Sequence, residues 1–307
     1  MKMQHEWLVD KKTIRKLSHL QSWRSMGSLT LDMITIGACF AAYYYFSNML
    51  VYLICCILIG TRLYALYSLL HEAIHYHLIA KRNLNDLITI LFLSGPLFIS
   101  LKKMRKEHFA HHKYLHTELD PESANLKYKE FQFPKSGFSL FMILFKDITG
   151  INFIYYKFLK LKSLMKQPVN MKWPFPVSDR YDLGILLYYS TLTGIIFYFN
   201  FQFYFLILYI IPYITIYQFL NRLRFYTEHR NLEPDTKYKT RTLKLNALQR
   251  FFFSPYNLGY HTEHHLYPNV PFYHLPELHN ELIKKNEFSR NMIVEKDFFS
   301  IFKLFVR

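Results

Sequence analysis

Cysteine, glycine and acidic residues are scarce in this sequence of 307 residues. With only 3 Cys and 9 Gly, the chain has neither a disulfide framework nor a thiolate zinc site nor a collagen-like composition. Its 22 Asp and Glu are outnumbered by 38 Lys and Arg, which gives a formal net charge of +16. We expect this basic excess to hold an anionic membrane surface or an acidic partner protein, and no nucleic acid.

Lysine and arginine are absent from two long apolar windows. The windows are residues 25–61 and 181–221, and each contains a single charged residue, Asp32 and Asp182 respectively. Because a membrane-crossing helix needs about 20 apolar residues, each window is long enough for two passes. The two windows therefore predict four transmembrane helices.

Polar turns divide both windows and set the expected topology. Ser47-Asn48 lies in the middle of the first window and residues 200–202 lie in the middle of the second, so each window predicts a helical hairpin. Neither turn contains Lys or Arg, whereas the N-terminal segment and the other connections do. The positive-inside rule then places both termini and the histidine motifs in the cytoplasm, at a bacterial inner membrane or the endoplasmic reticulum. We predict an all-α integral membrane protein, two transmembrane hairpins under a cytoplasmic helical cap.

The whole chain, residues 1–307, is expected to be one domain. In chain order its parts are hairpin 1 at about 27–70, a cytoplasmic histidine-rich region at 71–116, an interfacial region at 117–180, hairpin 2 at about 181–221 and a cytoplasmic tail at 222–307. The apolar run 87–101 is too short to cross the membrane and predicts a re-entrant or interfacial segment. Residues 138–159, interrupted by Lys146-Asp147, predict an amphipathic helix on the membrane surface.

Eight of the 15 histidines fall in three short motifs. Motif 1 is HxxxH, and motifs 2 and 3 are both HxxHH; their histidines are His71 and His75, then His108, His111 and His112, then His261, His264 and His265. A random chain of this composition would contain on the order of 0.04 HxxHH patterns, so two are unlikely to be accidental. Positions i, i+3 and i+4 span about 100° of one helical face, so each motif points its imidazoles the same way. This is the geometry of a metal site.

The remaining histidines differ in what they predict. Those that are isolated or out of phase are interpreted as ordinary interfacial or surface residues: His5, His19, His77, His274 and His279. His116 lies four residues after His112, on the same face, and is a candidate ligand or a residue that supports the ligands. His229 follows Arg224 and Glu228, which are spaced to pair across one helical turn. By itself His229 could be a ligand or an interfacial histidine.

The number and type of these ligands predict two metal ions. Coordination by imidazoles without thiolates suits Zn, Cu, Fe or Ni rather than Ca or Mg, and eight or nine nitrogens are too many for one ion. Nine ligands divided as four and five leave open positions on both ions, which oxygen or water needs and a closed structural zinc site lacks.

The motifs resemble those of the membrane fatty acid desaturase and hydroxylase superfamily over most of residues 60–280. The resemblance rests on HEAIHYHLIAKRNLNDLI, HFAHHKYLHTELDPE, the R-x3-EH element from Arg224 to His229, and PYNLGYHTEHHLYPNVPFYHLP. It implies two iron ions, in a non-haem centre ligated by His71, His75, His108, His111, His112, His229, His261, His264 and His265. It also makes Asp120 and Glu263 candidates for orienting imidazole N–H groups.

The resemblance further implies an O2-dependent oxidoreductase that introduces a double bond into a long acyl chain of a lipid. Oxygen transfer after removal of the first hydrogen would give an alcohol, so a hydroxylase or ketolase of a lipid or isoprenoid stays open as an alternative. We expect the apolar hairpins to form a slot for the chain. The sequence lacks a CxxCH motif, a ferredoxin cysteine run and a dinucleotide fingerprint, so electrons are expected from a separate ferredoxin-like or cytochrome b5-like protein.

Two other classes of protein fit part of the sequence. Residues 71–75 match HExxH of zinc peptidases, in which Glu72 would be the general base, but this hypothesis leaves motifs 2 and 3 without a role. A metal transporter or sensor would also use many histidines. Transport normally places polar ligands within the membrane, whereas here the motifs are expected beyond the helix ends.

Overall fold

The computed structural model describes residues 8–165, 180–232 and 236–306. This part of the chain is mostly helical, with few strands, which confirms the predicted helical class in its coarse form. The predicted interfacial region at 117–180 lies partly outside the described residues, because residues 166–179 are not among them.

The α-helices of the described residues are numbered in chain order. The first seven are α1 (Lys11–Leu17), α2 (Ser22–Phe46), α3 (Met49–Ile74), α4 (Arg82–Thr89), α5 (Leu101–Tyr114), α6 (Gly137–Ile148) and α7 (Ile151–Met165). The others are α8 (Arg180–Tyr198), α9 (Gln202–Phe205), α10 (Gln218–His229), α11 (Ala247–Phe253), α12 (His261–Leu266), α13 (Leu275–Leu282), α14 (Asn286–Asn291) and α15 (Phe302–Phe305). One parallel pair of strands joins β1 (Arg241–Leu243) to β2 (Ile293–Glu295), with Arg241 opposite Ile293.

Short helical turns of other types link these elements. The π-helical turns are Ile90–Ser94, which continues α4, and Leu206–Ile210 and Tyr213–Tyr217, which join α9 to α10. The 3-10 turns are Pro121–Lys127, Lys129–Phe131, Pro255–Asn257 and Phe272–His274.

Helices α2 and α3 pack together and are joined at the predicted polar turn. Helix α2 ends at Phe46, and Ser47 adopts a left-handed conformation with φ 34°. The side chain of Asn48 then caps α3 by accepting a hydrogen bond from the Val51 N–H at 3.0 Å. Such a cap satisfies a backbone donor that a helix start otherwise leaves free. Helix α3 forms the centre of the core, since its side chains from Ile59 to Ile74 are almost all buried.

Three helical stretches are long and apolar enough to cross a membrane. They are Lys11–Phe46, Met49–Ile74 and Gln202–His229. A fourth candidate is the bent pair of α6 and α7, counted as one span. Residues Leu183–Tyr198, which the sequence predicts as the first pass of hairpin 2, form a shorter apolar helix. The described residues thus contain three to four candidate membrane helices, and the arrangement in two hairpins stays a prediction.

The segment 138–159 is interrupted, as expected, but later than at Lys146-Asp147: it forms two helices that meet at 78°. Its position on the membrane surface stays a prediction. The break falls at Gly150, whose φ of +77° is a conformation that other residues rarely adopt. Asp147, which the sequence suggested as the interruption, is instead buried inside α6. It forms an ion pair with Arg222 and accepts a hydrogen bond from Asn152 at 2.8 Å.

The run 87–101 does not continue as one helix, which agrees with its prediction as a segment that does not cross the membrane. After the π-helical turn the chain leaves helical geometry, and three tyrosine hydroxyls donate to successive carbonyl oxygens: Tyr189 to Gly95 (3.1 Å), Tyr209 to Pro96 (2.9 Å) and Tyr213 to Leu97 (2.8 Å). Irregular backbone at membrane depth needs such partners, because no water is there to provide them.

A buried polar network ties the first hairpin to the segment before α12. Asp32 is fully buried and pairs with Arg62 at 3.1 Å. The hydroxyl of Tyr256 donates to the other Asp32 oxygen at 2.6 Å, and Arg62 also donates to the Phe251 carbonyl at 2.9 Å. Asp32, the single charged residue of the apolar window 25–61, therefore has a partner for each of its carboxylate oxygens. The network anchors the third histidine motif, five residues beyond Tyr256, to the membrane helices.

Candidate metal centre

Four helices bring all nine predicted histidine ligands to one place. Motif 1 lies at the C-terminal end of α3, motif 2 lies within α5, His229 is the last residue of α10, and motif 3 forms most of α12. Each helix thus presents its histidines at or near an end, beyond the most apolar stretch. The side chains form two groups, which we call the five-histidine cluster and the four-histidine cluster.

The five-histidine cluster takes ligands from all three motifs. Its members are His71, His75, His108, His112 and His264, and their potential ligating atoms all lie within 4.8 Å of one another. The Nε2 atom of His108 is 2.9 Å from that of His75 and 2.9 Å from that of His112. The Nε2 atom of His112 is in turn 3.1 Å from that of His264.

The four-histidine cluster is directly beside it. Its members are His111, His229, His261 and His265, again with potential ligating atoms within 4.8 Å of one another. The Nε2 atom of His261 lies 2.7 Å from that of His229 and 3.1 Å from that of His265. The two clusters touch where the rings of His112 and His265 stack, with centroids 4.4 Å apart.

Motifs 2 and 3 divide their histidines between the clusters in opposite ways. In motif 2 the i and i+4 residues, His108 and His112, join the five-histidine cluster, and the i+3 residue joins the other. In motif 3 the i and i+4 residues, His261 and His265, join the four-histidine cluster, and His264 joins the five-histidine cluster. The i+3 position lies about 100° from i+4 around the helix, so one HxxHH motif can reach two adjacent sites.

Hydrogen bonds between the imidazoles cannot account for these contacts. A ring nitrogen carries either one hydrogen or one lone pair. The chain of three Nε2 contacts from His75 to His264 can therefore hold at most two hydrogen bonds. The Nε2 atoms of His71 and His111 are buried and have no hydrogen-bond partner within the described residues, although buried polar atoms normally have one.

Metal ions would satisfy all of these nitrogens. Two nitrogen ligands at right angles around an ion, with bonds of about 2.1 Å, lie about 3.0 Å apart, and the Nε2 separations of 2.7 to 3.1 Å match this value. Burial and neighbouring imidazoles also favour the neutral form of several of these rings, the form in which histidine is a ligand. They lower the pKa of His112 to about 3 and hold the pKa of His108, His264 and His265 well below its usual range.

Asp120 orients one ligand of the four-histidine cluster, as the sequence suggests. Its buried carboxylate accepts a hydrogen bond from His111 Nδ1 at 3.0 Å, which leaves Nε2 of His111 facing the cluster. Burial opposes the charged form of His111, but the Asp120 carboxylate outweighs it and raises the pKa of His111. Asp120 is itself fixed by the backbone N–H groups of His116 (3.0 Å) and Glu122 (2.9 Å). Such carboxylate support is common behind metal-bound histidines.

Arg224 and Glu228 form the ion pair that their spacing predicts. Arg224 Nε donates to Glu228 Oε1 at 2.9 Å, and Nη2 lies 2.8 Å from Oε2. The same Glu228 oxygen is 3.6 Å from Nε2 of His261, so the carboxylate lies at the edge of the four-histidine cluster. Arg224 also donates to the Tyr67 hydroxyl at 3.1 Å.

Glu263 does accept an imidazole N–H, but from His279, which belongs to neither cluster. Its carboxylate is fully buried and accepts hydrogen bonds from His279 Nδ1 at 2.6 Å and from the Thr242 hydroxyl at 2.8 Å. No hydrogen bond within the described residues joins Glu263 to an imidazole of either cluster. It fixes α12 to α13 and β1 instead.

Two histidines interpreted as surface residues are buried beside the site. His279 pairs with Glu263, and His77 pairs with Glu72 through its Nδ1 atom at 3.1 Å. Glu72 directly follows His71, and Glu263 directly precedes His264, so each carboxylate lies next to a predicted ligand in the sequence. A buried carboxylate needs a hydrogen-bond partner. This need is the signal for His77 and His279, and helical periodicity does not show it. His19 is exposed as expected, His274 is part-buried, and His5 lies outside the described residues.

His116 belongs to neither cluster. Its backbone is left-handed, with φ 58°, because the chain turns there at the end of α5 toward Asp120. Its ring lies 5.7 Å from that of His229. Together with His111, Asp120 and Arg230 it lines a cavity of about 80 Å³ beside the four-histidine cluster, which is room enough for one or two water-sized molecules.

Glu72 is not placed as a general base. Its Oε2 atom accepts hydrogen bonds from His77 Nδ1 and from the Phe272 N–H at 3.0 Å, and Oε1 lies 3.8 Å from Nδ1 of His71. The carboxylate therefore supports the back of the five-histidine cluster and fixes the chain after motif 3. This geometry argues against the peptidase hypothesis, and both HxxHH motifs are integral to the clusters.

Comparison with known proteins agrees with the site. A model of the fatty acid desaturase family matches residues 47–292, a range that includes every histidine of both clusters. The chain is also 30% identical over 273 residues to dihydrorhizobitoxine desaturase from Bradyrhizobium elkanii, an alignment that covers 84% of this chain and 76% of that protein. These matches confirm the resemblance to membrane desaturases.

Proposed function

Because this chain belongs to the fatty acid desaturase family and is an oxidoreductase, we propose that it is a membrane-bound, O2-dependent di-iron desaturase. Its proposed reaction introduces a double bond into a long acyl chain of a lipid. Two neighbouring C–H bonds are lost, two electrons and two protons come from the donor side, and O2 is reduced to two molecules of water. The named activity of the Bradyrhizobium relative favours desaturation over the hydroxylase and ketolase alternatives.

The observation that supports this proposal is the pair of buried imidazole clusters. We propose one iron held by His71, His75, His108, His112 and His264, and a second held by His111, His229, His261 and His265. Bound iron would supply the oxidising power, with O2 and electrons, to break an unactivated C–H bond. Zinc offers the same nitrogen ligation without redox chemistry, so it cannot support this reaction.

The chain's own residues would position the ligands and exclude water. Asp120 holds the Nδ1 hydrogen of His111, which turns the Nε2 lone pair toward the cluster. His264 is 3% exposed and His261 is 1% exposed, so bulk water would be kept from these two ligands. Arg224 neutralises Glu228, so that a carboxylate can lie beside the cluster without an unpaired buried charge.

The same proposal includes the membrane topology of the chain and its electron donor. Both termini and all three motifs would face the cytoplasm, which the distribution of Lys and Arg supports. One desaturase domain would comprise residues 1–307. Electrons would come from a separate ferredoxin-like or cytochrome b5-like protein that docks on the basic cytoplasmic face.

The test is lipid analysis of a host that expresses the chain. Mass spectrometry of total lipids should show new double bonds, which disappear with a His111→Ala variant expressed at the same level. New hydroxyl or keto groups without new double bonds would instead assign a hydroxylase or ketolase. A zinc peptidase would behave differently: it would cleave a peptide, lose that activity with Glu72→Gln and keep it with His111→Ala.

A further inference from the structure

A cavity of about 440 Å³, lined in part by Tyr67, combines an aromatic end with a polar end. At the aromatic end, Phe98 contacts Tyr213, Tyr213 contacts Tyr217 and Tyr217 contacts Tyr67, with ring centroids 5.1 to 6.3 Å apart. At the polar end the cavity shares residues with a second one of about 480 Å³: Asn125, Phe131, Tyr156 and Arg222. Both volumes are within the range of small-molecule sites.

The aromatic end points toward the proposed metal centre. Tyr67 lies one helical turn before His71 on α3, and its hydroxyl accepts a hydrogen bond from Arg224. Arg224 pairs with Glu228, whose carboxylate is 3.6 Å from His261. A molecule in this cavity would therefore have one ion pair between it and the four-histidine cluster.

The polar end contains buried donors that make no hydrogen bond by distance and angle within the described residues. The side chain of Arg222 is only 9% exposed, yet its Nη1 atom makes no hydrogen bond within the described residues, and neither does the buried hydroxyl of Tyr156. Arg222 is held by its ion pair with Asp147 and by the ring of Phe131, 5.0 Å away. A fixed guanidinium with a free edge is suited to anionic oxygens.

The charges around this end favour an anion. Lys157 and Lys160 line the two cavities together with Arg222. Asp147 offsets one of these charges, and Glu130, which lies near Tyr156, offsets a second. One positive charge is left for a ligand.

We propose that Arg222 and Tyr156 bind the anionic oxygens of the substrate's head group, a carboxylate or a phosphate, while its hydrocarbon chain lies along the aromatic end. This inference rests on the proposed desaturase function and adds the binding site of the substrate's polar group. A larger apolar groove of about 640 Å³ between α4 and α8 has no Lys or Arg among the described residues that line it. Its one carboxylate, Asp86, is paired with Arg105 at 2.6 Å.

Direct binding to the metal-free full-length chain in nanodiscs tests this site without turnover. The probes are palmitate and dipalmitoylphosphatidylglycerol, each with its neutral counterpart, methyl palmitate and dipalmitoylglycerol. The wild-type chain should bind at least one anionic probe about tenfold more tightly than its neutral counterpart, the effect of one hydrogen bond to a charged group. Preference for palmitate would identify a carboxylate, and preference for the phospholipid would identify a phosphate.

Tyr156→Phe is the sharpest variant, because it removes only a hydroxyl that makes no hydrogen bond within the described residues. It should weaken binding of the preferred anion about tenfold and leave the neutral counterpart unchanged. Tyr155→Phe, on the exposed neighbouring side chain, is the matched control and should bind like wild type. Arg222→Gln combined with Asp147→Asn removes both charges of the ion pair and should abolish the preference for anions.

Equal binding of anionic and neutral probes by the wild-type chain would overturn the proposal, as would wild-type binding by Tyr156→Phe. Loss of binding on Leu187→Trp, which fills the apolar groove, with no effect of Tyr156→Phe would place the substrate in that groove and also overturn it. If binding behaves as expected but expression of the chain yields no double bonds, the proposed desaturase function fails and the binding site stands.

Discussion

The two histidine clusters share one ligand chemistry but differ in how their ligands are supported. In the four-histidine cluster, Nδ1 of His111 donates to Asp120, and Nδ1 of His229 lies 3.4 Å from the Lys239 carbonyl. In the five-histidine cluster, Nδ1 of His71 and of His264 makes no hydrogen bond within the described residues, and the nearest carboxylate oxygen to His71 is 3.8 Å away. The four-histidine cluster thus has two members with a partner at Nδ1, His111 and His229, although Nδ1 of its member His261 makes no hydrogen bond within the described residues.

The two clusters also differ in what lies beside them. The cavity of about 80 Å³ is lined by His111 and His229 of the four-histidine cluster, and Glu228 lies at the edge of that cluster. A small cavity and a carboxylate therefore lie beside the four-histidine cluster, where a bound ion would have four imidazole ligands rather than five.

The largest effect is expected from removing one ligand from each cluster. His264→Ala and His265→Ala change adjacent residues of α12 that belong to different clusters. Each should abolish double-bond formation and lower the iron content from two ions per chain to one or none, measured by elemental analysis of the purified protein. His19→Ala, on an exposed histidine outside the clusters, is the control. Full activity of either variant would contradict the proposal that its cluster holds an iron ion needed for the reaction.

A smaller effect is expected from Asp120→Asn. The substitution weakens the acceptor that holds His111, and supporting residues of this kind typically contribute about 10- to 100-fold to metal affinity or activity. Iron titration of the metal-free protein should show weaker binding at one site and unchanged binding at the other. Equal weakening at both sites would contradict the difference between the clusters.

Glu72→Gln should have a weaker effect than Asp120→Asn. Its closest cluster contact is 3.8 Å, and its hydrogen bonds go to His77 and to the Phe272 backbone. We expect a several-fold loss of activity, with both iron ions retained, because the amide can still accept the Phe272 hydrogen bond. Complete loss of activity with full iron content would show that this carboxylate takes part in the chemistry itself.

The smallest effect is expected from His116→Ala. Its ring is not in either cluster, and burial, with the nearby Arg230, lowers the pKa of His116 to about 4, so it contributes no charge at neutral pH. Removal enlarges the small cavity and should change the rate of double-bond formation by no more than a few-fold, with both iron ions retained. Loss of one iron would show that His116 is a ligand, and the two clusters would then differ less in their number of ligands.

The sequence predicts well which histidines lie together, because residues that recur at helical spacing share one face of a helix and that spacing is visible in the chain. The turn at Ser47-Asn48 and the ion pair of Arg224 with Glu228 follow from equally local rules. The resemblance to the desaturases adds His229, for which spacing alone leaves two interpretations.

Other features depend on contacts between distant segments and could not be predicted. Division of one HxxHH motif between two clusters depends on how α5 and α12 face each other. The pairs of His77 with Glu72 and of His279 with Glu263 bury two histidines that appear isolated in sequence. The ion pair of Asp147 with Arg222 likewise turns an expected polar interruption into part of the core.

Mössbauer spectroscopy of the wild-type protein, reconstituted with iron-57, is the most direct test of the di-iron centre. The account predicts two iron ions per chain in two distinguishable environments of equal abundance, both with nitrogen-rich coordination. A single iron environment, or a protein that retains one zinc ion and no iron under the same conditions, would contradict it.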